Sequence, residues 1–235
     1  FGRKGISGHY DDGERFAFFC RAATEAAKLT GAKVLHCADW HTALIPVYIK
    51  CNEECGIKTV FTLCDIAGQG KFCTDIMESS LFLHKDCFSL VEWDGNVNLL
   101  KGGISCADAV TSLSPSYLKY IRQKGNYELE PVLNNNNITA IPCGIDCNVY
   151  NPQKNKALIK NYTADDLEGK AACKAEMQGQ LKLCQDKDIP LIAFYGQLTK
   201  ERGAQLLLKA VPQMLKLNIQ LAVIGKGDIN CENEL

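Results

Sequence analysis

"VLHCADWHTALIP", residues 34–46, joins a short apolar run to an amphipathic segment through a polar turn. The run has the length and the β-branched and leucine content of a buried strand, and the segment has the spacing of a helix bent or broken at Pro46. Residues 58–64, KTVFTLC, have the pattern of a second strand. Strand, helix and strand at this spacing predict a parallel βαβ unit.

The same alternation continues on both sides of this unit. Residues 14–31 predict an amphipathic helix that carries Phe19 on its apolar stripe and ends at Gly31. Farther along, a strand leads into a helix with Ser114 as its N-cap. The four asparagines at 134–137 have nothing to bury and predict a solvated loop before the next strand.

A pause at residues 143–152, rich in turn residues, separates this series from a second one. A long helix is predicted from near Thr163, with Asp166 as its capping-box partner. A strand, a helix and a strand are then predicted at residues 190–196, 204–215 and 219–225. The sequence therefore predicts two α/β domains, 1–143 and 144–235.

The composition excludes some classes of partner. The 235 residues include 26 basic and 27 acidic side chains, spread evenly, so no basic face is available to neutralise a nucleic acid backbone. No apolar run approaches the roughly 20 residues that span a bilayer, and the start has no signal-peptide core. We therefore expect a soluble, cytoplasmic protein that binds no nucleic acid and no membrane. A chain that starts with Phe1 is expected to be part of a longer one.

The 13 cysteines do not predict a disulfide framework or a metal site. Their number is odd, and most of them lie in apolar runs, so we expect free thiols that pack as small buried hydrophobic groups. Cys51 and Cys55 are four residues apart with no second pair at zinc-finger spacing. We predict no structural zinc, and no residue pattern calls for a cofactor.

The polar residues of the first stretch, His36, Cys37, Asp39 and His41, suit a metal site, proton chemistry or a sugar site. Strand alternation sends His36 and Cys37 to opposite faces, so the four cannot bind one metal without a bend. Asp39 is expected to cap the following helix, which leaves His41 in its first turn. By spacing alone, a histidine at this position is more often a satisfied polar residue than a catalytic one.

Two loops of the second series follow buried strands, where ligands collect in parallel sheets. In GQLTKERG, residues 196–203, Lys200 and Arg202 precede a helix whose free amides suit a diphosphate; an ordinary solvated connection has the same composition. In GKGD, residues 225–228, the glycines permit close approach of a ligand or form a plain tight turn. Neither loop has the glycine spacing of a P-loop or a dinucleotide fingerprint.

Seven motifs follow one another along nearly the whole chain: FGRKGISGHYDDGERFAFFCRAA, LHCADWHTALIP, VFTLCDIAGQGKF, DGNVNLLKGGISCADAVTSLSPSY, PCGIDCNVYNP, FYGQLTKERG and QLAVIGKGD. Taken together and in this order, they resemble the motifs of bacterial-type and plant-type glycogen and starch synthases. The resemblance implies a GT-B fold, with two Rossmann-like parallel-sheet domains facing across a cleft. It implies a hexosyltransferase that moves glucose from ADP-glucose or UDP-glucose to the non-reducing end of an α-1,4-glucan, with retention.

The resemblance also assigns roles to residues. His41 is similar to the family histidine close to the transferred glucose, Asp39 and Trp40 to the residues that support it, and Gln69 and Gly70 to a loop beside the same cleft. Arg202 takes the place of a phosphate-binding lysine. The residues on the nucleotide-sugar side are Gln197, Lys200, Arg202, Gly225, Gly227 and Asp228.

This chain departs from the family pattern at five places. It has Gln197 for arginine, Arg202 for lysine, Cys64–Asp65 for histidine-asparagine, Gly68 for tyrosine and Cys143 for asparagine. An alternative function is therefore a catalytically impaired relative that binds glucan or regulates a synthase. A GT-B transferase with another acceptor is a third.

The family's amino-terminal lysine-x-glycine-glycine loop and its later glutamate pair are absent from this sequence. We therefore expect a section that is incomplete at both ends and does not turn over by itself. A plant-type source would place the protein in a plastid instead of the cytoplasm.

Overall fold

The computed structural model describes residues 5–52, 56–123, 125, 127–200 and 202–235. The first four residues of the first motif, Cys55 and Glu201 therefore lie outside the described residues. The chain divides into two units, Phe1–Gly144 and Ile145–Leu235.

Nine strands are present in the described residues, and they form three sheets. The strands are β1 (Val34–Ala38), β2 (Lys58–Leu63), β3 (Lys71–Phe72), β4 (Glu92–Trp93), β5 (Asn96–Asn98), β6 (Ala109–Ser112), β7 (Ile138–Ala140), β8 (Leu191–Tyr195) and β9 (Gln220–Ile224). The order β1-β2-β6-β7 makes a four-stranded parallel sheet in the first unit, and β8 and β9 pair in parallel in the second. The predicted parallel βαβ unit is confirmed.

Ten α-helices precede, connect or follow these strands in the described residues. They are α1 (Asp12–Thr30), α2 (Leu44–Cys51), α3 (Ile76–Ser79), α4 (Phe88–Val91), α5 (Leu99–Cys106), α6 (Pro115–Ile121), α7 (Glu130–Asn135), α8 (Glu168–Gln180), α9 (Ala204–Met214) and α10 (Ile229–Glu234). The Ser114 hydroxyl accepts the Tyr117 amide at the start of α6, so this cap is confirmed.

The core of the first unit lies between the parallel sheet and its helices. Phe61 and Leu63 point from β2 into this core and are fully buried. On α5, Gly103 lies so close to the Phe61 ring that a Cβ there would come within 2.8 Å of it. This contact lets α5 approach the sheet closely.

The antiparallel sheet of order β3-β5-β4 was not predicted. Its strands are two or three residues long, too short for an alternating pattern to be recognised. On α1, the buried face runs through Phe16, Cys20 and Ala27, whereas Phe19 is 40% exposed. The predicted stripe was therefore wrong at Phe19, which lies beyond the edge of the buried face.

Three other local predictions were wrong. Helix α2 begins at Leu44, so Pro46 lies in its first turn, where no helix hydrogen bond is lost and no break follows. Helix α7 extends into the asparagine run as far as Asn135. The Thr163 hydroxyl does accept the Asp166 amide, but this closes a loop turn, and α8 begins only at Glu168.

The prediction of free, buried thiols was only partly right. Cys51 and Cys87 form a disulfide across 36 residues, with Cα atoms 6.4 Å apart. Cys20 and Cys37 are buried, and burial raises the pKa of the Cys20 thiol to about 12. Most of the other free cysteines in the described residues are at least partly exposed. Among the described helices, none has the length and hydropathy needed to cross a membrane.

Candidate functional site

Asp39 ties together the ends of two neighbouring strands in the first unit. Its Oδ1 accepts the backbone N–H groups of Cys64 at 2.8 Å and Asp65 at 2.9 Å, and both of these residues follow β2. Its backbone has φ 55°, a value that non-glycine residues rarely adopt. The predicted helix cap was wrong, because the carboxylate bonds to the neighbouring strand end instead of the next turn.

His41 lies in a short 3-10 turn, Trp40–Thr42, that leads into α2. Its ring stacks on Trp40 with centroids 4.2 Å apart and meets the edge of Phe16 at 4.8 Å. The Nε2 atom is buried and has no hydrogen-bond partner among the described residues. The ring is thus held by aromatic contacts, and its Nε2 is unpaired among the described residues.

Burial lowers the pKa of His41 below its usual 6.5, although the carboxylates of Asp39 and Asp12 oppose this shift and the Arg15 guanidinium adds to it. The imidazole is therefore neutral near pH 7. Asp12 and Arg15 form an ion pair whose side chains are 8% and 9% exposed. This ion pair was not predicted from the sequence. It lies in the DDGERF part of the first motif.

The other polar residues of the first stretch do not join His41. His36 Nε2 lies 2.6 Å from the Thr62 hydroxyl on the next strand, and Cys37 is buried on the opposite face. In the part of the chain that the structure describes, no three His, Cys, Asp or Glu side chains are arranged to hold a metal ion. The chemistry of this edge therefore centres on Asp39 and His41.

The loop before β3 supports Trp40. The buried Gln69 side chain donates to the Tyr127 carbonyl at 2.9 Å and accepts from the Asn98 amide at 2.7 Å. At Gly70, φ is +60°, and a Cβ would lie 2.6 Å from Cε3 of Trp40. Gly70 thus lets the chain pack against the tryptophan, Gln69 fixes the loop, and the contact of both residues with substrate stays a prediction.

In the second unit, the two predicted loops are joined by backbone hydrogen bonds. The Leu198 amide donates to the Lys226 carbonyl at 3.0 Å, and the Asp228 amide donates to the Leu198 carbonyl at 2.9 Å. A parallel bridge pairs Leu198 with Gly227 and continues the register of β8 and β9. The glycines serve this close approach, because a Cβ at Gly225 would lie 1.9 Å from the Gly196 carbonyl oxygen.

These joined loops border a cavity of about 510 Å³. The residues that line it are Gln197, Thr199, Lys200, Lys226, Gly227 and Asp228. Neither lysine forms an ion pair with a described residue, so two ammonium groups are available to an anion. Lys226 was not predicted as a site residue, because only the strand register brings it opposite Gln197.

Arg202 and Asp228 differ from the other predicted residues of this site. Arg202 is exposed at the start of α9 and does not line the cavity. The Asp228 carboxylate caps α10 by accepting the backbone amides of Asn230 at 2.8 Å and Cys231 at 3.4 Å. The Asp228 carboxylate therefore stabilises the start of α10, and its contact with a ligand stays a prediction.

The chain is similar to known proteins of one family. The family model for the starch synthase catalytic domain matches residues 1–135. A glycogen synthase of Bacillus subtilis is 38% identical over 248 residues, covering 99% of this chain and 51% of its own. One from Alkaliphilus metalliredigens is 36% identical over 240 residues, covering 97% and 50%. The chain thus spans about half the length of the curated relatives it matches.

A solved structure agrees with these matches. The catalytic domain of Starch Synthase IV from Arabidopsis thaliana, bound to ADP and acarbose, superposes with a TM-score of 0.87. It is 27% identical, and the match covers 99% of this chain and 50% of that one. The predicted α/β fold of the GT-B class is therefore confirmed for the part that the chain spans, and the chain belongs to the starch synthase catalytic domain family.

Proposed function

We propose that the full-length protein transfers glucose from ADP-glucose or UDP-glucose to the non-reducing end of an α-1,4-glucan, with retention. The observation that carries the proposal is the cavity of the second unit, where Lys200 and Lys226 have no ion-pair partner among the described residues. The cavity lies in a chain whose fold matches that of a starch synthase catalytic domain bound to ADP and acarbose. The family relatives, named glycogen synthases, agree with this choice of reaction.

The chemistry of the cavity suits a nucleoside diphosphate. Lys200 and Lys226 provide positive charge, and the 11-residue helix α9 begins just after the loop at Ala204. The positive dipole end of this helix favours an anion. Arg202, exposed beside the same helix, adds a third cation for a phosphate that extends beyond the cavity.

The first unit supplies the groups for the sugar. His41 is neutral and has a buried Nε2 without a hydrogen-bond partner among the described residues, so it suits a hydrogen bond to a sugar hydroxyl. Trp40 presents a buried ring behind it, and Asp39 fixes the turn in which both lie. We assign substrate positioning to His41, with Asp39 and Trp40 holding it in place.

The proposed transfer breaks the bond between glucose C1 and the diphosphate oxygen and forms a bond from C1 to the acceptor's O4. The diphosphate leaves with the electron pair, and the acceptor hydroxyl loses its proton to the departing phosphate or to water. Positive charge grows on the sugar while negative charge grows on the phosphate. The lysines and the positive dipole end of α9 stabilise the second of these charges.

Glucose incorporation into glycogen by the full-length protein tests the proposal, with ADP-glucose and UDP-glucose supplied separately. We expect transfer from at least one donor and a large loss in His41→Ala. The matched control is His84→Ala, because His84 is an exposed histidine of the same unit. No transfer from either donor would refute the synthase activity, and equal rates in the His41 and His84 variants would remove His41 from the reaction.

One observation favours a second function, in which the protein is a catalytically impaired relative that binds glucan or regulates a synthase. Burial and the carboxylates of Asp39 and Asp65 raise the pKa of the Cys64 thiol, so a neutral thiol stands where the family pattern has histidine. The double variant Cys64→His, Gln197→Arg tests this. If the natural protein binds glycogen without transferring glucose and the double variant transfers it, the protein is an impaired relative.

A further inference from the structure

We propose that Lys226 is a diphosphate-binding cation of the second unit and that it supplies the charge opposite the neutral Gln197. The inference rests on the proposed function and adds a binding residue to it. It is carried by the strand register, the shared cavity and the absence of ion-pair partners among the described residues.

The register places Lys226 directly opposite Gln197. Tyr195 pairs with Ile224 at the end of β8 and β9, and Leu198 pairs with Gly227 beyond them. Both pairs are 29 residues apart in the chain, so the pairing continues without a slip and sets Gln197 against Lys226. Opposed residues on neighbouring strands lie roughly 5 Å apart and point to the same face.

Both side chains reach the same cavity. Gln197 and Lys226 each line the space of about 510 Å³, together with Lys200. A cation at either of the two opposed positions therefore reaches the same anion. In this chain, position 197 holds a neutral amide and position 226 holds the ammonium group.

The backbone around Lys226 is fixed while its side chain is available. Its carbonyl accepts the Leu198 amide at 3.0 Å, which sets the position of its Cα. No ion pair joins its ammonium group to a described residue. The nearby carboxylates of Asp228 and Glu232 are occupied by backbone amides, those of Asn230 and Gly227 among them. Among the described residues, Lys226 therefore has no ion-pair partner that would explain its position in the cavity.

Calorimetric titration of the full-length protein with ADP and with UDP tests the inference. We expect Lys226→Gln to weaken binding at least tenfold, with a smaller dependence on salt, because one charge-assisted contact is lost. Lys226→Arg keeps the charge and should retain the affinity. Adding Gln197→Arg to Lys226→Gln should restore it, since the cation returns from the opposed position. Lys216→Gln, at an exposed lysine just after α9, is the matched control and should bind like the natural protein.

The outcomes separate this inference from the proposed function. If the natural protein and Lys226→Gln bind both nucleotides equally tightly, Lys226 is not a binding residue, although the site stands. If the natural protein binds neither nucleotide, the proposed function fails and Lys226 loses its role with it. Circular dichroism of each variant checks that the fold is unchanged.

Discussion

The carboxylate of Asp39 accepts the backbone amide of Cys64 at 2.8 Å and thereby connects the ends of β1 and β2. A side chain in this position holds the two strand ends in a fixed relation. Because the turn that carries His41 follows Asp39 directly, this bond also fixes the imidazole.

Asp39→Ala should lower the free energy of unfolding by about 2–3 kcal/mol, because two hydrogen bonds to a charged acceptor are lost. Urea denaturation followed by circular dichroism measures this. Asp94→Ala is the matched control, since Asp94 has a similar φ of 50° and is exposed in a tight turn. An equal loss in both variants would attribute the effect to the backbone and not to the Asp39 hydrogen bonds.

Gly70→Ala should destabilise the first unit by about 2–4 kcal/mol, the sum of a left-handed backbone and a clash with Trp40. Gly31→Ala has nearly the same φ, +67°, but meets nothing within 4 Å, so it should cost only about 1 kcal/mol. Thermal unfolding compares them. Similar losses in the two variants would show that the Trp40 contact tolerates a methyl group.

Gln197→Arg should tighten binding of ADP or UDP roughly tenfold, because a guanidinium adds a charge-assisted contact in a cavity that already holds two lysines. Titration calorimetry of the full-length protein measures the change. Gln213→Arg, on the far end of α9, adds the same charge outside the cavity and should leave the affinity unchanged. An unchanged affinity in Gln197→Arg would mean that the phosphates bind elsewhere.

The pKa of His41 lies below its usual 6.5 because the ring is buried. Between the folded and unfolded pKa values, the unfolded chain binds more protons, so stability rises with pH in this window. We expect the contribution of neutral His41 to the free energy of unfolding to be complete above about pH 6.5. It should be lost as the pH falls through the pKa of His41 in the folded protein.

Urea denaturation between pH 5 and pH 8 tests this pH dependence. The variant His41→Gln, which cannot titrate, should show a smaller loss of stability toward pH 5 than the natural protein. The same slope in both proteins would show that other groups cause the pH dependence.

The sequence predicted the parallel strands well, because each one is a compact apolar run with clear turn signals. The contacts that build the sites were harder to predict. Asp39 bonds to amides 25 and 26 residues away, and no local pattern shows this; its identity as a short polar residue suggested a helix cap instead. Lys226 was missed for a related reason, since its relation to Gln197 exists only once β8 and β9 are in register.

The stacking of Trp40 on His41 gives the protein a built-in optical signal. Trp40 is one of two tryptophans in the chain, and its indole lies 4.2 Å from the imidazole. When His41 gains a proton, this stack becomes a cation–π contact, and the excited indole meets a cationic neighbour. Fluorescence from the unlabelled protein is therefore expected to record the ionisation of His41.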